Sequence, residues 1–171
     1  MTSKPGYSLP RRPMVLLYAL YLYLVSLDIL STYVTTSDLV LEANPVILSF
    51  EMNWLSIVVA SFLGSTFLFL VFWLSLSSIY HEQRGRFRFL LGITVFICHF
   101  SYSCFTIANN ILSGIFVGEL DLSFLRSIAG WYINSFVMGI DSFYPSVFGL
   151  HMLFSFVFVK KAFSGRRSSS S

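Results

Sequence analysis

Residues 54–88 read WLSIVVASFLGSTFLFLVFWLSLSSIY followed by HEQRGRFR, and this junction decides the fold. From Trp54 to Tyr80 no side chain is charged; then Glu82, Arg84, Arg86 and Arg88 crowd into one short segment beside His81. A hydrocarbon core takes about 20 helical residues to cross, so the uncharged run predicts a transmembrane helix. Arginines at one end of it mark the cytoplasmic side, where positive loops are retained. The signature recurs in both directions. Met14 to Thr35 is preceded by Lys4, Arg11 and Arg12, Phe89 to Val117 begins at the Arg88 cluster, and Tyr144 to Val159 is stopped by Lys160, Lys161, Arg166 and Arg167. Ten of the eleven basic residues thus flank one end of four spans, with Arg126 the exception. Asp38, Glu42, Glu51, Glu119, Asp121 and Asp141 gather at the other end. The predicted class is an all-α integral membrane protein, a four-helix transmembrane bundle in a cell membrane with both termini cytoplasmic.

Composition supports the same class. With 56% hydrophobic and 11% charged residues and a mean hydropathy of +0.75, 171 residues carry too little polar surface to cover a soluble globule. The net charge of +3 is topological, so membrane lipids with anionic headgroups, and not nucleic acid, are the expected partners. Residues 1–13 read as a basic cytoplasmic segment and 164–171 as a disordered Ser-rich tail. The first apolar run is too long for the core of a cleavable signal, so it is expected to stay as an anchor. Cys98 and Cys104 fall on different faces of one helix and cannot bridge within it. No motif implies a cofactor, and neither C-x-x-C nor H-E-x-x-H occurs.

Between the third and fourth spans, residues 122–140 have a different pattern. Ser123, Arg126, Ser127, Gly130 and Asn134 recur at helical spacing opposite Phe124, Leu125, Ile128, Trp131, Tyr132 and Phe136. This predicts an amphipathic helix lying at the outer interface, with Asp121 as its N-cap. A re-entrant hairpin and a full crossing are the alternatives.

The polar residues inside the spans carry the functional expectation. A carboxylate within a span costs at least ~2.5 kcal/mol on insertion scales, so Asp28 is expected to face the interior with a partner or a proton. Tyr21, Ser31, Thr32 and Thr35 share its helical stripe. A second stripe, His99, Ser103, Thr106, Asn110 and Ser113, lines the third span, and the fourth adds His151 and Ser155. Counting ~1.5 Å per residue from the basic markers brings Asp28, His99 and His151 into the middle-to-outer part of the bundle, close enough in depth to share a cavity. Three readings stay open: inter-helix glue, a ligand or proton site, and a metal site using those three residues. Ala60, Ser61, Gly64 and Ser65 read as a close-packing face of the second span.

Leu27, Asp28, Ser31 and Thr32, in L-D-I-L-S-T, and then Glu42, Ala43, Asn44 and Pro45 resemble the L-D-x-x-[ST]-T and E-A-N-P motifs of an uncharacterised family of small prokaryotic polytopic membrane proteins, filed as a domain of unknown function. The likeness covers about a quarter of the chain. It implies that Glu42 and Asn44, held in a turn by Pro45, belong with Asp28 to one outer-mouth site. The lysine that members often carry in the second helix is missing here. A weaker likeness, through Asp28 alone, is to the four-span emopamil-binding and sigma-2-receptor-like family, which binds apolar amines or sterols; its second-helix acid has no counterpart between Trp54 and Tyr80.

The expected function is binding of a small cation, proton or polar ligand at Asp28, Thr32, Glu42, Asn44, His99, Ser103, Asn110 and His151. An accessory subunit of a membrane complex, with a protein partner or a second copy, is the alternative. An embedded enzyme or binder of lipid-like substrates, with Asp28 and a histidine as acid and base, is the third reading.

Overall fold

The computed structural model describes residues 11–37, 49–80, 86–140 and 142–164. It is all helical, and no strand occurs among the described residues. The helices are α1 (Arg11–Thr35), α2 (Trp54–Tyr80), α3 (Arg86–Val117), the short α4 (Arg126–Tyr132) and α5 (Phe143–Ser164). Four of them, α1, α2, α3 and α5, are long and apolar enough to cross a membrane. Each extends to or past its predicted limits. α1 is already helical at Arg11, the first described residue, ahead of Met14. α3 is already helical at Arg86, ahead of Phe89, and α5 continues past Val159 at least to Ser164. Lys and Arg are good helix formers, so the helix outlasts the hydrophobic stretch that revealed it.

Side-chain pairings fix the helix directions. Tyr21 meets His99, Asp28 meets Thr106, and Thr35 lies against Gly114, so α1 and α3 run parallel along a seam that advances by about two turns per pair. Tyr21 reaches Ser65, Phe72 stacks on Phe96 at 4.3 Å and Ser75 faces Gly92, so α2 runs the opposite way. Tyr144 meets Asn109 and His151 meets Ser101, so α5 is also antiparallel to α3. Direction therefore alternates along the four long helices, and α1 begins at the same end of the molecule where α5 finishes. α3 is the hub: α1, α2, α4 and α5 all pack chiefly on it, while α1 and α2 touch each other less.

Packing is densest where α1, α2 and α3 meet. Phe69, Phe72 and Phe96 are buried with Tyr21, whose ring lies 4.8 Å from that of Phe96, and Met14, Ile93 and Val159 extend the cluster toward the basic end. Edge-on and offset rings of this kind add about 0.5–1.5 kcal/mol each beyond simple contact. Gly92 lets α3 approach α2: a Cβ there would run into the Ser75 hydroxyl and lie 3.2 Å from Val71 Cγ1. Outward, Val15, Leu16, Leu63, Phe67, Leu153 and Phe158 stay exposed, as residues facing lipid do.

The segment after α3 is helical without a break over 123–137, within the expected 122–140, but its turns are not uniform. Gly118, at φ +91°, ends α3, and the N–H groups of Gly118 and Leu120 both bond the Gly114 carbonyl at 3.1 Å. A 3-10 turn (Ser123–Leu125), α4, and a π turn (Ile133–Val137) follow in series. Asp121 does not cap them; Leu122 is the N-cap residue, and no side chain bonds there. The buried line is Ala129 and Ile133, with Phe124, Ile128 and Trp131 exposed, so apolar groups face both the protein and its surroundings. α3 has 32 residues, about 48 Å, and α5 begins only at the level of Phe105 and Asn109. The segment occupies the space above that start: Gly130 lies against Phe116, and Tyr132 reaches Asn109. Because α5 returns antiparallel to α3, a full crossing by this segment is ruled out.

Candidate functional site

Three polar clusters hang on three faces of α3. The first joins α3 to α1. Thr106 Oγ1 lies 2.8 Å from Asp28 Oδ1 and 3.0 Å from the Ser103 carbonyl one turn back. One turn further on, Asn110 donates from Nδ2 to Ser31 Oγ at 3.1 Å and to Thr32 Oγ1 at 3.0 Å. Both hydroxyls in turn donate to the Asp28 backbone carbonyl. Asn110 thereby grips the turn that carries Asp28 and fixes its place along α3.

Two turns before Thr106, the Tyr21 hydroxyl lies 2.9 Å from His99 Nδ1, and Ser65 of α2 bonds the same phenol. The phenol has a single hydrogen, so the order Ser65 Oγ–H to Tyr21 Oη, then Tyr21 Oη–H to His99 Nδ1, satisfies all three groups. In that order the neutral imidazole carries its proton on Nε2. Asp28 and His99 both line a cleft of about 330 Å³ between α1, α2 and α3, whose α2 wall is Ala60, Ser61, Gly64 and Ser65. Val25 and Ile29 supply apolar walls. The small residues of α2 therefore do not bring helices together as predicted: a Cβ on Gly64 would meet nothing within 4 Å. They leave room instead.

The second cluster lies toward α5. His151 Nδ1 is 2.9 Å from Ser101 Oγ, which donates its hydrogen to the Cys98 carbonyl at 3.0 Å, so the imidazole N–H is the donor. Tyr102 and Phe105 hold the ring from the side. His151 thus does not share a cavity with Asp28 and His99. Ser101 and His99 are two residues apart, about 200° around a helix, so equal depth put them on opposite faces. Among the described residues no three His, Cys, Asp or Glu side chains come close enough to hold a metal ion, which removes the Asp28, His99, His151 arrangement.

The third cluster ties down the segment between α3 and α5. Asn109, 3% exposed, donates to the Tyr144 hydroxyl and accepts from Tyr132, both at 3.1 Å. Burial, with Tyr144 as a neighbour, pushes the Tyr132 phenol up, so it remains a donor at neutral pH. Sequence reasoning chose Asn110 and passed over Asn109, although tandem asparagines in a span already imply two buried faces 100° apart. Tyr132→Phe is expected to cost about 1 kcal/mol, because it strands the buried Asn109 carbonyl oxygen. Earlier proteolysis between α3 and α5, with the rest of the chain intact, is the measurement that reads it.

Of the remaining predicted site residues, Ser103 is buried in α3 and takes part through its carbonyl. Glu42 and Asn44, with the whole E-A-N-P motif, lie outside the described residues. Cys98 and Cys104 are both free thiols, Cys98 buried and Cys104 exposed. No buried side-chain nitrogen or oxygen lacks a hydrogen-bond partner among the described residues. No protein-family model matches the chain, and no curated protein and no solved structure matches it either.

Proposed function

We propose that the chain is a multi-pass protein of a cell membrane, with its termini cytoplasmic and 122–140 at the outer interface, that binds a small cation, proton or polar ligand at Asp28. One observation carries this reading: two ionisable side chains from different helices, Asp28 and His99, line one cleft, and each is oriented by its own hydrogen bond. Four apolar helices and basic residues at one end support the topology. The resemblance to the L-D-x-x-[ST]-T family supports Asp28, Ser31 and Thr32 as one unit, since Asn110 clamps those two hydroxyls.

Thermal unfolding of detergent-purified wild type and Asp28→Asn, with monovalent cations, small amines and polar solutes, tests it. A ligand at one hundred times its Kd should stabilise the wild type by about 2.7 kcal/mol and leave Asp28→Asn unmoved. The rival reading makes Asp28 inter-helix glue in a structural subunit, and the complete pairing of buried polar groups favours it. Under that reading Asp28→Asn simply melts lower, and no solute separates it from the wild type.

A further inference from the structure

Two polar groups on the cleft have no hydrogen bond to the protein. His99 spends Nδ1 on the Tyr21 phenol and carries its proton on Nε2, which bonds nothing among the described residues. The Ser61 hydroxyl bonds nothing there either. Since no buried side-chain nitrogen or oxygen lacks a partner, both groups are accessible, and the space they share is the cleft.

The mouth of that cleft lies at hydrocarbon depth. Phe67 is the middle residue of α2, belongs to the cleft wall and is 64% exposed, and Ala60 and Gly64 on the same wall are exposed as well. A side chain exposed halfway along a membrane-spanning helix meets lipid tails and not water. The aqueous ends are closed off. Toward the outer one, Ile57 is buried one turn beyond Ser61, and the Asn110 clamp joins α1 to α3. Toward the basic one, Phe69, Phe72 and Phe96 fill the junction of the helices. An N–H and a hydroxyl thus wait behind apolar walls in a space entered from the bilayer, where an unmet polar group is costly.

We infer that the ligand of this cleft is a lipid-borne alcohol, an uncharged amphiphile that enters sideways from the bilayer with its hydroxyl between His99 and Ser61 and its tail in the mouth. A hydroxyl accepts from His99 Nε2–H and donates to Ser61 Oγ, so one head group meets both. An ammonium head only donates and leaves the imidazole N–H unmet. A carboxylate or phosphate head brings a second acid to the cleft that already holds Asp28. A bare hydrocarbon meets neither group. Val25, Ile29 and Leu68 line the path that the first carbons of the tail would follow. The inference rests on the cleft being a ligand site and names the class of that ligand.

Octadecanol carrying a diazirine at mid-chain, equilibrated into lipid vesicles that hold the full chain and then illuminated, tests it. The expected crosslink falls on α2 between Ala60 and Leu68 and is displaced by oleyl alcohol, but not by equal amounts of octadecene, oleylamine or oleic acid. Ser61→Ala should raise the oleyl alcohol needed about fivefold, the worth of one neutral hydrogen bond, and Gly64→Leu should abolish the crosslink. If Gly64→Leu does not assemble, the displacement series in the wild type decides alone. Octadecene as effective as the alcohol overturns the inference, because only a tail is then recognised. Stronger displacement by oleylamine or oleic acid overturns it in favour of a charged head. A crosslink spread evenly over the lipid-facing helices, or one that an assembled Gly64→Leu protein keeps, overturns entry into the cleft. A polar solute that still stabilises the wild type and not Asp28→Asn in the unfolding assay would then keep the cleft as a site with a ligand drawn from water.

Discussion

Tyr21→Ala should lower stability by about 3 kcal/mol, while Tyr21→Phe should cost only about 1 kcal/mol. Tyr21 is 0% exposed, touches the rings of Phe96 and Phe100, and bridges Ser65 of α2 to His99 of α3 through its hydroxyl. Truncation to alanine removes the ring at the junction of three helices and leaves a cavity. The lower end of the usual range for aromatic truncation applies, because residues parted in lipid do not regain contact with water and only packing is lost. Phenylalanine keeps the ring but leaves His99 Nδ1 without its donor. Equilibrium unfolding in mixed micelles separates the two costs. Equal losses for both variants would show that the hydroxyl, and not the ring, holds the junction.

Gly92→Leu is expected to cost at least about 2 kcal/mol and to reduce the yield of assembled protein, since overpacking a close helix contact forces backbone movement. The collision is with Ser75 and Val71 of α2, neither of which has a long flexible end to swing away. Gly64→Leu is the informative comparison. Its Cβ enters open space, so the fold should tolerate it, and helix propensity even favours it by up to about 1 kcal/mol. The leucine side chain would instead occupy the cleft beside Asp28 and block any ligand there. A Gly64→Leu protein as unstable as Gly92→Leu would mean that α1 and α2 close over the cleft.

The four long helices were legible because each is a long, mostly apolar run with basic residues at one end, a pattern that needs no tertiary knowledge. The two polar stripes that meet between α1 and α3 were legible as stripes, though not as a pair. Tyr21, Asp28, Ser31 and Thr32 fall on one stripe and His99, Thr106 and Asn110 on another, and a polar stripe in a span has nowhere to turn but inward. His151 shows where that logic stops: depth follows from counting residues, but azimuth depends on which helices become neighbours. Gly64 and Gly92 show the same limit. Both are glycines in apolar runs, and only the partner helix decides that one marks a gap and the other a contact. The π turn over Ile133–Val137 was hidden because one extra residue per turn leaves the composition of INSFV unchanged while shifting the face that follows.

The hub position of α3 has a consequence for how the chain is made. α1 and α2 leave the ribosome first, yet they share little surface, and most of what each will pack against belongs to a helix not yet synthesised. During that interval Asp28 lacks Thr106 and the Ser31 and Thr32 hydroxyls lack Asn110, so a carboxylate waits beside the insertion machinery without its final companions. Arrival of α3 closes the α1 and α2 contacts together, and α5 is then added to a surface already formed. A chain truncated after α2 should therefore be handed to quality control, whereas one truncated after α3 should persist.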